Sequence, residues 1–307
     1  MRIVLQLILL IIGFVLLIKG ADFFVDGAGA IARKFKIPQL IIGLTIVAMG
    51  TSAPETAVSL TAAFKGNADI TIGNVVGSNI LNVLIVLGVT ASITSLPVGK
   101  STIRVELPFT MFISALFMLL GMDGMITLAD GVILIILFVL YIAYLIWSAK
   151  KNPEEIEEIK ELPLWKALVA TVGGLALVVF GSDLTVDAAK ELARFFGMSD
   201  RFIGLTVVAL GTSLPELVTS ATAARKGNAD MAIGNIVGSN IFNILFVVGL
   251  SALVIPIPFA SAFRSDMLVA TLAVVLLWLC CCRSGKIKRW GGVLMLACYA
   301  AYFISIC

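Results

Sequence analysis

The 46 residues from Gly43 to Gly88, GLTIVAMGTSAPETAVSLTAAFKGNADITIGNVVGSNILNVLIVLG, return at Gly204 to Gly249 as GLTVVALGTSLPELVTSATAARKGNADMAIGNIVGSNIFNILFVVG, with 31 identities and no gap at an offset of 161. Identity at that level marks an internal duplication. Each copy carries a carboxylate, Glu55 or Glu216, inside an apolar run of membrane-spanning length. Neither run, 37–64 nor 202–224, contains a Lys or Arg. An acid at such depth costs roughly 3 kcal/mol on insertion scales, and no basic side chain in either run offsets that cost. An arriving cation is the simplest source of the missing positive charge.

The surrounding composition supports the membrane reading. Of 307 residues, 60% are hydrophobic and 13% charged, more apolar surface than a soluble domain can bury, so the chain reads as a polytopic membrane protein. The complete lack of histidine excludes His-based acid/base catalysis and the usual His-containing metal sites. The net charge of +3 is scattered through loops and gives no face for nucleic acid. The cysteines at 280, 281, 282, 298 and 307 have neither the spacing nor the partners of a zinc site, and read as small apolar packing residues. The apolar start could pass for a signal peptide. However, Gly13, Leu16, Gly20, Asp22, Val25 and Asp26 reappear as Gly174, Leu177, Gly181, Asp183, Val186 and Asp187, so the start reads as a first membrane helix.

The same offset relates Pro97 to Pro258, Gly124 to Gly285 and Gly131 to Gly292. Residues 1–146 therefore read as one five-helix repeat, 164–307 as a second, and the polar stretch 147–163 as a linker. Hydrophobic segments are expected near 3–30, 40–64, 70–95, 105–120 and 125–147, then near 164–191, 201–224, 231–255, 264–282 and 290–306. Five is odd, so the second copy enters the bilayer from the opposite face. The expected fold is all-α: ten transmembrane helices as two inverted five-helix repeats, with broken helices at the ion site. Placing the N-terminus outside puts 15 basic residues on the cytoplasmic side against 6 outside, so both termini are expected outside and the linker in the cytoplasm.

The residues around each acid share one chemistry. Pro54 lacks an N–H and its ring clashes with the carbonyl four residues back, which predicts a helix break near Gly50 and Thr51. Freed carbonyls, the hydroxyls of Thr51 and Ser52, and the Glu55 carboxylate then form a cluster of oxygens, repeated at Thr212, Ser213 and Glu216. The next segment adds Ser78 and Asn82, four apart and on one helical face, mirrored by Ser239 and Asn243. Asn74, Asn79, Asn235 and Asn240 read instead as hydrogen bonds between helices. Oxygen-only sites suit hard cations, and calcium accepts about six to eight oxygens in loose geometry. Two glutamates are neutralised by one Ca2+ or by two Na+. Left empty at a separation of about 6 Å, they would repel by about 3 kcal/mol at an effective dielectric near 20.

These paired GTSxPE and GNxxGSNxxN motifs resemble the calcium/cation antiporter superfamily, its sodium/calcium exchanger branch of prokaryotic type in particular. The resemblance implies a secondary antiporter rather than an enzyme, with Ca2+ and Na+ as transported substrates, no cofactor, the lipid bilayer as surroundings, and no nucleic acid or obligate protein partner. It implies a calcium site from Glu55, Glu216 and the carbonyls of Thr51 and Thr212. Flanking sodium sites would use the carbonyls of Ala48 and Ala209 together with Ser52, Ser213, Ser78 and Ser239, and Asn82 and Asn243 would lie at the middle. It further implies that the first and sixth helices slide over the other eight. Two departures bear on this. Asn stands at both 82 and 243, where some relatives, including potassium-dependent ones, carry Asp at one or both, and the short linker leaves no room for a large regulatory domain. Proton-coupled exchange at the same site is the alternative. An intramembrane hydrolase using Ser52 or Ser213 lacks an evident base, and broken helices in inverted repeats favour alternating access over a channel.

Overall fold

The computed structural model describes residues 2–151, 162–198 and 209–306. Most of the expected linker therefore lies outside the described residues, as does the start of the segment expected at 201–224. The first repeat holds α1 (Arg2–Lys34), α2 (Gln39–Thr51), α3 (Ala53–Phe64), α4 (Ile70–Ile93), α5 (Thr102–Asp123) and α6 (Leu128–Lys151). The second holds α7 (Leu164–Phe195), α8 (Ala209–Thr212), α9 (Leu214–Arg225), α10 (Ala229–Val254), α11 (Ala262–Cys281) and α12 (Arg289–Ile306). Among the described residues, seven helices are long and apolar enough to cross a membrane, and α2 with α3 makes an eighth as one span bent by 49°. The α8/α9 pair and α12 complete a polytopic fold of ten membrane segments. At 33 residues α1 runs about 50 Å, so it outreaches a bilayer core of about 30 Å and ends later than the expected residue 30.

Contacts between the copies reveal an inverted two-fold. Helices α1 and α7 pack antiparallel: Gly13 lies against Gly181 and Thr185, Gly20 against Gly174 and Val178, and Gly27 against Thr171 and Ala167. Gly13 and Gly20 are the copies of Gly174 and Gly181, so each glycine meets the copy of the other. Their missing side chains let two backbones touch, as helices in lipid require when no hydrophobic driving force joins them. A Cβ on Gly20 would lie 2.8 Å from Leu177 Cβ and 2.8 Å from Val178 N.

The same exchange of partners runs through the rest of the bundle. Gly88 of α4 packs on Gly292 of α12, while Gly249 of α10 packs on α6 at Leu134 and Ile135. Two short antiparallel ribbons follow suit. Strand β1 (Leu96–Pro97) pairs with β4 (Lys286–Ile287), and β2 (Met125–Ile126) with β3 (Ile257–Pro258). Each strand thus pairs with the copy of the other. The core lies between α4 and α10, where Ile72, Val75, Ile80, Leu84, Ile236, Ile241 and Leu245 are buried.

Crowding at Gly20 gives a test. Gly20→Ala should cost about 1–3 kcal/mol, as overpacking of a tight contact does, and lower the thermal midpoint in detergent. Gly173→Ala serves as control, because a Cβ there meets nothing within 4 Å, and it should leave the midpoint unchanged or raise it, since Ala favours a helix over Gly. Equal midpoints for the two variants would rule out a glycine-dependent α1/α7 contact.

Candidate ion site

The bend between α2 and α3 falls at Ser52, with φ −85° and ψ 12°. This is one residue after the expected Gly50–Thr51, because Pro54 is accommodated in the first turn of α3 rather than terminating α2 directly. Missing N–H groups cost nothing in a first turn, so the helix runs on through Thr51 and turns at the last residue able to do so. The copy turns at Ser213, with φ −89° and ψ 4°. The carbonyl freed by Pro215 is that of Gly211, and it accepts a hydrogen bond from Ser182 Oγ of α7 at 3.0 Å. Gly50, freed by Pro54, faces a first helix with Ala21 at the equivalent place, so this support is confined to one copy.

Within the bundle Ala48, Thr51, Ser52, Glu55, Asn82, Glu216, Ser239 and Asn243 are fully buried, and Ser78 and Ser213 nearly so. Contacts across the two-fold bring these residues together. Ser52 Oγ donates to Glu216 Oε1 at 2.9 Å, Asn243 Nδ2 lies 3.3 Å from Ser78 Oγ, and Ser239 Oγ lies 3.5 Å from the Ala48 carbonyl. Ser78 stands beside the Glu55 carboxylate, which is within electrostatic reach of Glu216. Thr212 and Ser213 form the α8/α9 junction, and Ala209 opens α8. The Thr51 hydroxyl reaches the Glu216 carboxylate and is shared with other acceptors. It lies 3.1 Å from Asn235 Oδ1 and 3.1 Å from the Val47 carbonyl, as a helical Thr hydroxyl turned back on its own ladder does.

A reciprocal set of amide bonds orients the asparagines. Asn79 Nδ2 donates to the Asn240 carbonyl at 3.3 Å, and Asn240 Nδ2 to the Asn79 carbonyl at 3.2 Å. Asn82 Nδ2 then donates to Asn240 Oδ1 at 3.0 Å, and Asn243 Nδ2 to Asn79 Oδ1 at 3.2 Å. Every N–H of Asn82 and Asn243 that is engaged points at the partner copy, leaving Asn82 Oδ1 and Asn243 Oδ1 without a donor. Glu55 Oε1, Glu55 Oε2 and Glu216 Oε2 are likewise buried without a partner. Five unpartnered acceptors would be a severe desolvation cost in a finished core. Carboxylate and amide oxygens are the donor set that a hard cation takes. Asn74 Nδ2 donates to Ser59 Oγ at 2.9 Å and Asn235 Nδ2 to Ser220 Oγ at 2.9 Å, so these two brace helices, as expected.

Both site asparagines begin a widened π-helical stretch, Asn82–Leu87 in α4 and Asn243–Val248 in α10. Such stretches recur at functional sites because they free or redirect groups of the helical ladder. Periodicity gave no sign of them. Sequence reasoning also missed Thr219, three residues beyond Glu216, whose hydroxyl is buried without a partner; its copy is Val58, so comparison of the repeats hides it.

The clamp carries its own test. Asn240→Ala removes the acceptor of Asn82 and a donor to Asn79, and should cost about 1–3 kcal/mol for the groups left unsatisfied. A thermal midpoint in detergent equal to that of the unmodified chain would show that the clamp does not hold the site.

Comparison with known proteins shows the family. A family model described as sodium/calcium exchanger protein matches residues 5–147 and 166–306. CaxA of Alkalimonas amylolytica, a protein named as an antiporter, is 42% identical over 96% of each chain. The sodium/calcium exchanger MaX1 of Methanosarcina acetivorans is 31% identical over 97% of each. A solved structure of the sodium-calcium exchanger NCX_Mj, soaked with zero Na+ and Ca2+, superposes with a TM-score of 0.87 at 36% identity, covering 99% of this chain and 100% of that one. The chain belongs to the sodium/calcium exchanger family, whose members are membrane transporters and not enzymes.

Proposed function

We propose that this protein exchanges Ca2+ for Na+ across the cell membrane by alternating access, at a site built from Glu55 and Glu216. The observation that carries the reading is the set of five unpartnered acceptor oxygens on Glu55, Glu216, Asn82 and Asn243, buried in one bundle. The relatives named for sodium and calcium support the choice of ions. Two carboxylates neutralise one Ca2+ or two Na+, so loading by one ion displaces the other, and this competition couples their fluxes. The carbonyls of Ala48, Thr51, Ala209 and Thr212, with Ser52, Ser78, Ser213 and Ser239, complete the oxygen shell. Repeats at 1–146 and 164–307 are joined by a cytoplasmic linker at 147–163, with both termini outside, as the distribution of basic residues favours.

The decisive experiment drives Ca2+ uptake into vesicles with a sodium gradient and, separately, with a pH gradient. Sodium-driven uptake supports this reading; uptake driven by protons alone would assign the same site to proton-coupled exchange. Glu55→Gln and Glu216→Gln should each reduce Ca2+ flux below about a tenth of the unmodified rate. The remaining acid leaves a divalent ion unbalanced where its desolvation costs several kcal/mol.

Protons compete for the same carboxylates, so flux should fall as pH drops from about 8 to about 5, because a protonated acid no longer attracts a cation. A flat profile over that range would contradict the shared carboxylates. Asn243→Asp adds a third acid beside the other two. Since a third like charge is disfavoured, transport should survive with a steeper pH dependence and a new response to potassium. A pH profile and potassium response identical to the unmodified chain would place Asn243 outside the ion site.

A further inference from the structure

The two-fold that builds the site is broken at its rim. Helix α1 presents Asp22 and Asp26, four apart and therefore on one face, to the end of α9. Lys226 Nζ lies 2.7 Å from Asp26 Oδ1, 3.3 Å from Asp22 Oδ1 and 2.9 Å from the Asp22 carbonyl, and Arg225 Nη2 lies 3.0 Å from Asp22 Oδ1. Within this cluster the Lys226 and Asp22 side chains are 24% and 25% exposed, while Asp26 and Arg225 reach solvent at 57% and 66%, so it is an ionic rim half open to water. Its copy would join Asp183 and Asp187 of α7 to Lys65 at the end of α3. There the three residues are exposed, and Asp187 instead pairs with Lys190 of its own helix at 3.2 Å.

Apolar packing beneath the two clusters differs in the same sense. Leu214 and Val218 of α9 pack against a cluster of Leu17, Ala21 and Val178. Their copies on α3, Ala53 and Ala57, are exposed, and among the described residues α7 makes no packing against α3 comparable to that of α1 on α9. Two independent features, one ionic and one apolar, thus mark the α1/α9 seam as shut and the α7/α3 seam, beside Glu55, as open.

We propose that Asp22, Asp26 and Lys226 form one half, and Asp183, Asp187 and Lys65 the other half, of an exchangeable ionic latch that closes on one seam as it opens on the other. The inference rests on the alternating-access reading above. Because α1 and α7 are locked together by their glycines, a shift of the pair that leaves α9 brings α7 onto α3, and the two-fold dictates that the second trio takes up the geometry of the first. The halves are unequal: Phe64 stands where Arg225 does, and Lys190, which competes for Asp187, has Gly29 as its copy. The latch therefore favours the state described here, with the α1/α9 seam shut.

The test uses the full chain with its five cysteines replaced by alanine, reconstituted in vesicles. One thiol pair is Asp26→Cys with Lys226→Cys, and the other is Lys65→Cys with Asp187→Cys. Both pairs should cross-link under copper-phenanthroline, each should stop Ca2+ flux, and reductant should restore it. A protein carrying both pairs should form either cross-link but not the two together. Adding Lys226→Gln to the Lys65/Asp187 pair should raise its cross-linking at least threefold, while Lys226→Arg should not. Failure of the Lys65/Asp187 pair to cross-link in any ionic condition, both links in one molecule, or an unchanged yield with Lys226→Gln would overturn the latch. Failure of the exchanger reading is seen separately, as absent Ca2+ flux in the cysteine-free parent, and the cross-link yields still decide the latch.

Discussion

Two carboxylates buried without a basic partner are the constraint that the rest of this structure answers. A buried acid in a transmembrane bundle is ordinarily paired; here, among the described residues, Glu55 and Glu216 are left with open acceptor atoms. Hydroxyls reach the carboxylates, as Ser52 Oγ does Glu216 Oε1, while the amide donors around them are turned elsewhere. The amide nitrogens of Asn82 and Asn243 are spent on Asn240 and Asn79 of the partner copies. The Thr51 hydroxyl is shared between Asn235, its own helix and the Glu216 carboxylate. What remains facing the centre is oxygen. A protein-made counter-charge would satisfy this cavity permanently, whereas a mobile cation satisfies it reversibly, which is the property a carrier needs.

The duplication does more than double the ligands. Each copy's bent helix supplies one acid and a set of carbonyls, but the groups that orient them come from the other copy: Ser52 holds Glu216, Asn79 holds Asn243, and Asn240 holds Asn82. Ribbons and glycine contacts are exchanged in the same way, so the halves are interleaved rather than set side by side. Alternative arrangements of such a bundle come in symmetry-related pairs at little extra cost in sequence, since any contact available to one copy has a counterpart written into the other. The departures from symmetry, at Arg225 against Phe64, Ser182 against Ala21 and Thr219 against Val58, then distinguish the two faces.

Much of this was legible in the chain. Repetition at a fixed offset revealed the inverted architecture, and an acid in each basic-free run revealed the site. That Asn79 and Asn240 bond between helices was legible from amides in an apolar surrounding, but not that they bond to each other. The break was displaced by one residue because a proline shows that a turn must precede it without showing which residue takes it. The π-helical stretches left no mark, since one extra residue in a turn barely changes an apolar run. Two-residue strands are too short for any period. The cluster of Asp22, Asp26 and Lys226 was visible as repeated residues but not as a contact, because the partner lies on a helix far along the chain. Glu106 was missed altogether. It is buried in α5, accepting from Ser101 Oγ at 2.9 Å, but its copy is Met267, so a search led by repetition passes over it.

The strengths of the contacts fit the need to move. Helices α1 and α7 meet backbone to backbone through Gly13, Gly20, Gly174 and Gly181, a contact that any separation would break, so the two travel as one body. Their contacts to α9 are of another kind: a few apolar side chains and a rim of partly hydrated ion pairs. Such pairs contribute about 0–1 kcal/mol each, and shifting a two-state population from one side to the other requires about 5.5 kcal/mol in total. A latch of that strength biases the equilibrium without trapping it, and binding of an ion to two uncompensated acids is large enough to override it. Were Lys226 buried as deeply as Glu55, breaking the pair would strand a charge in low dielectric at a cost of about 3–5 kcal/mol, and the seam would stay shut. The placement of charge at the rim and of bare acid at the centre is therefore one arrangement seen at two depths: the centre is costly enough to demand an ion, and the rim is weak enough to let the ion decide the state.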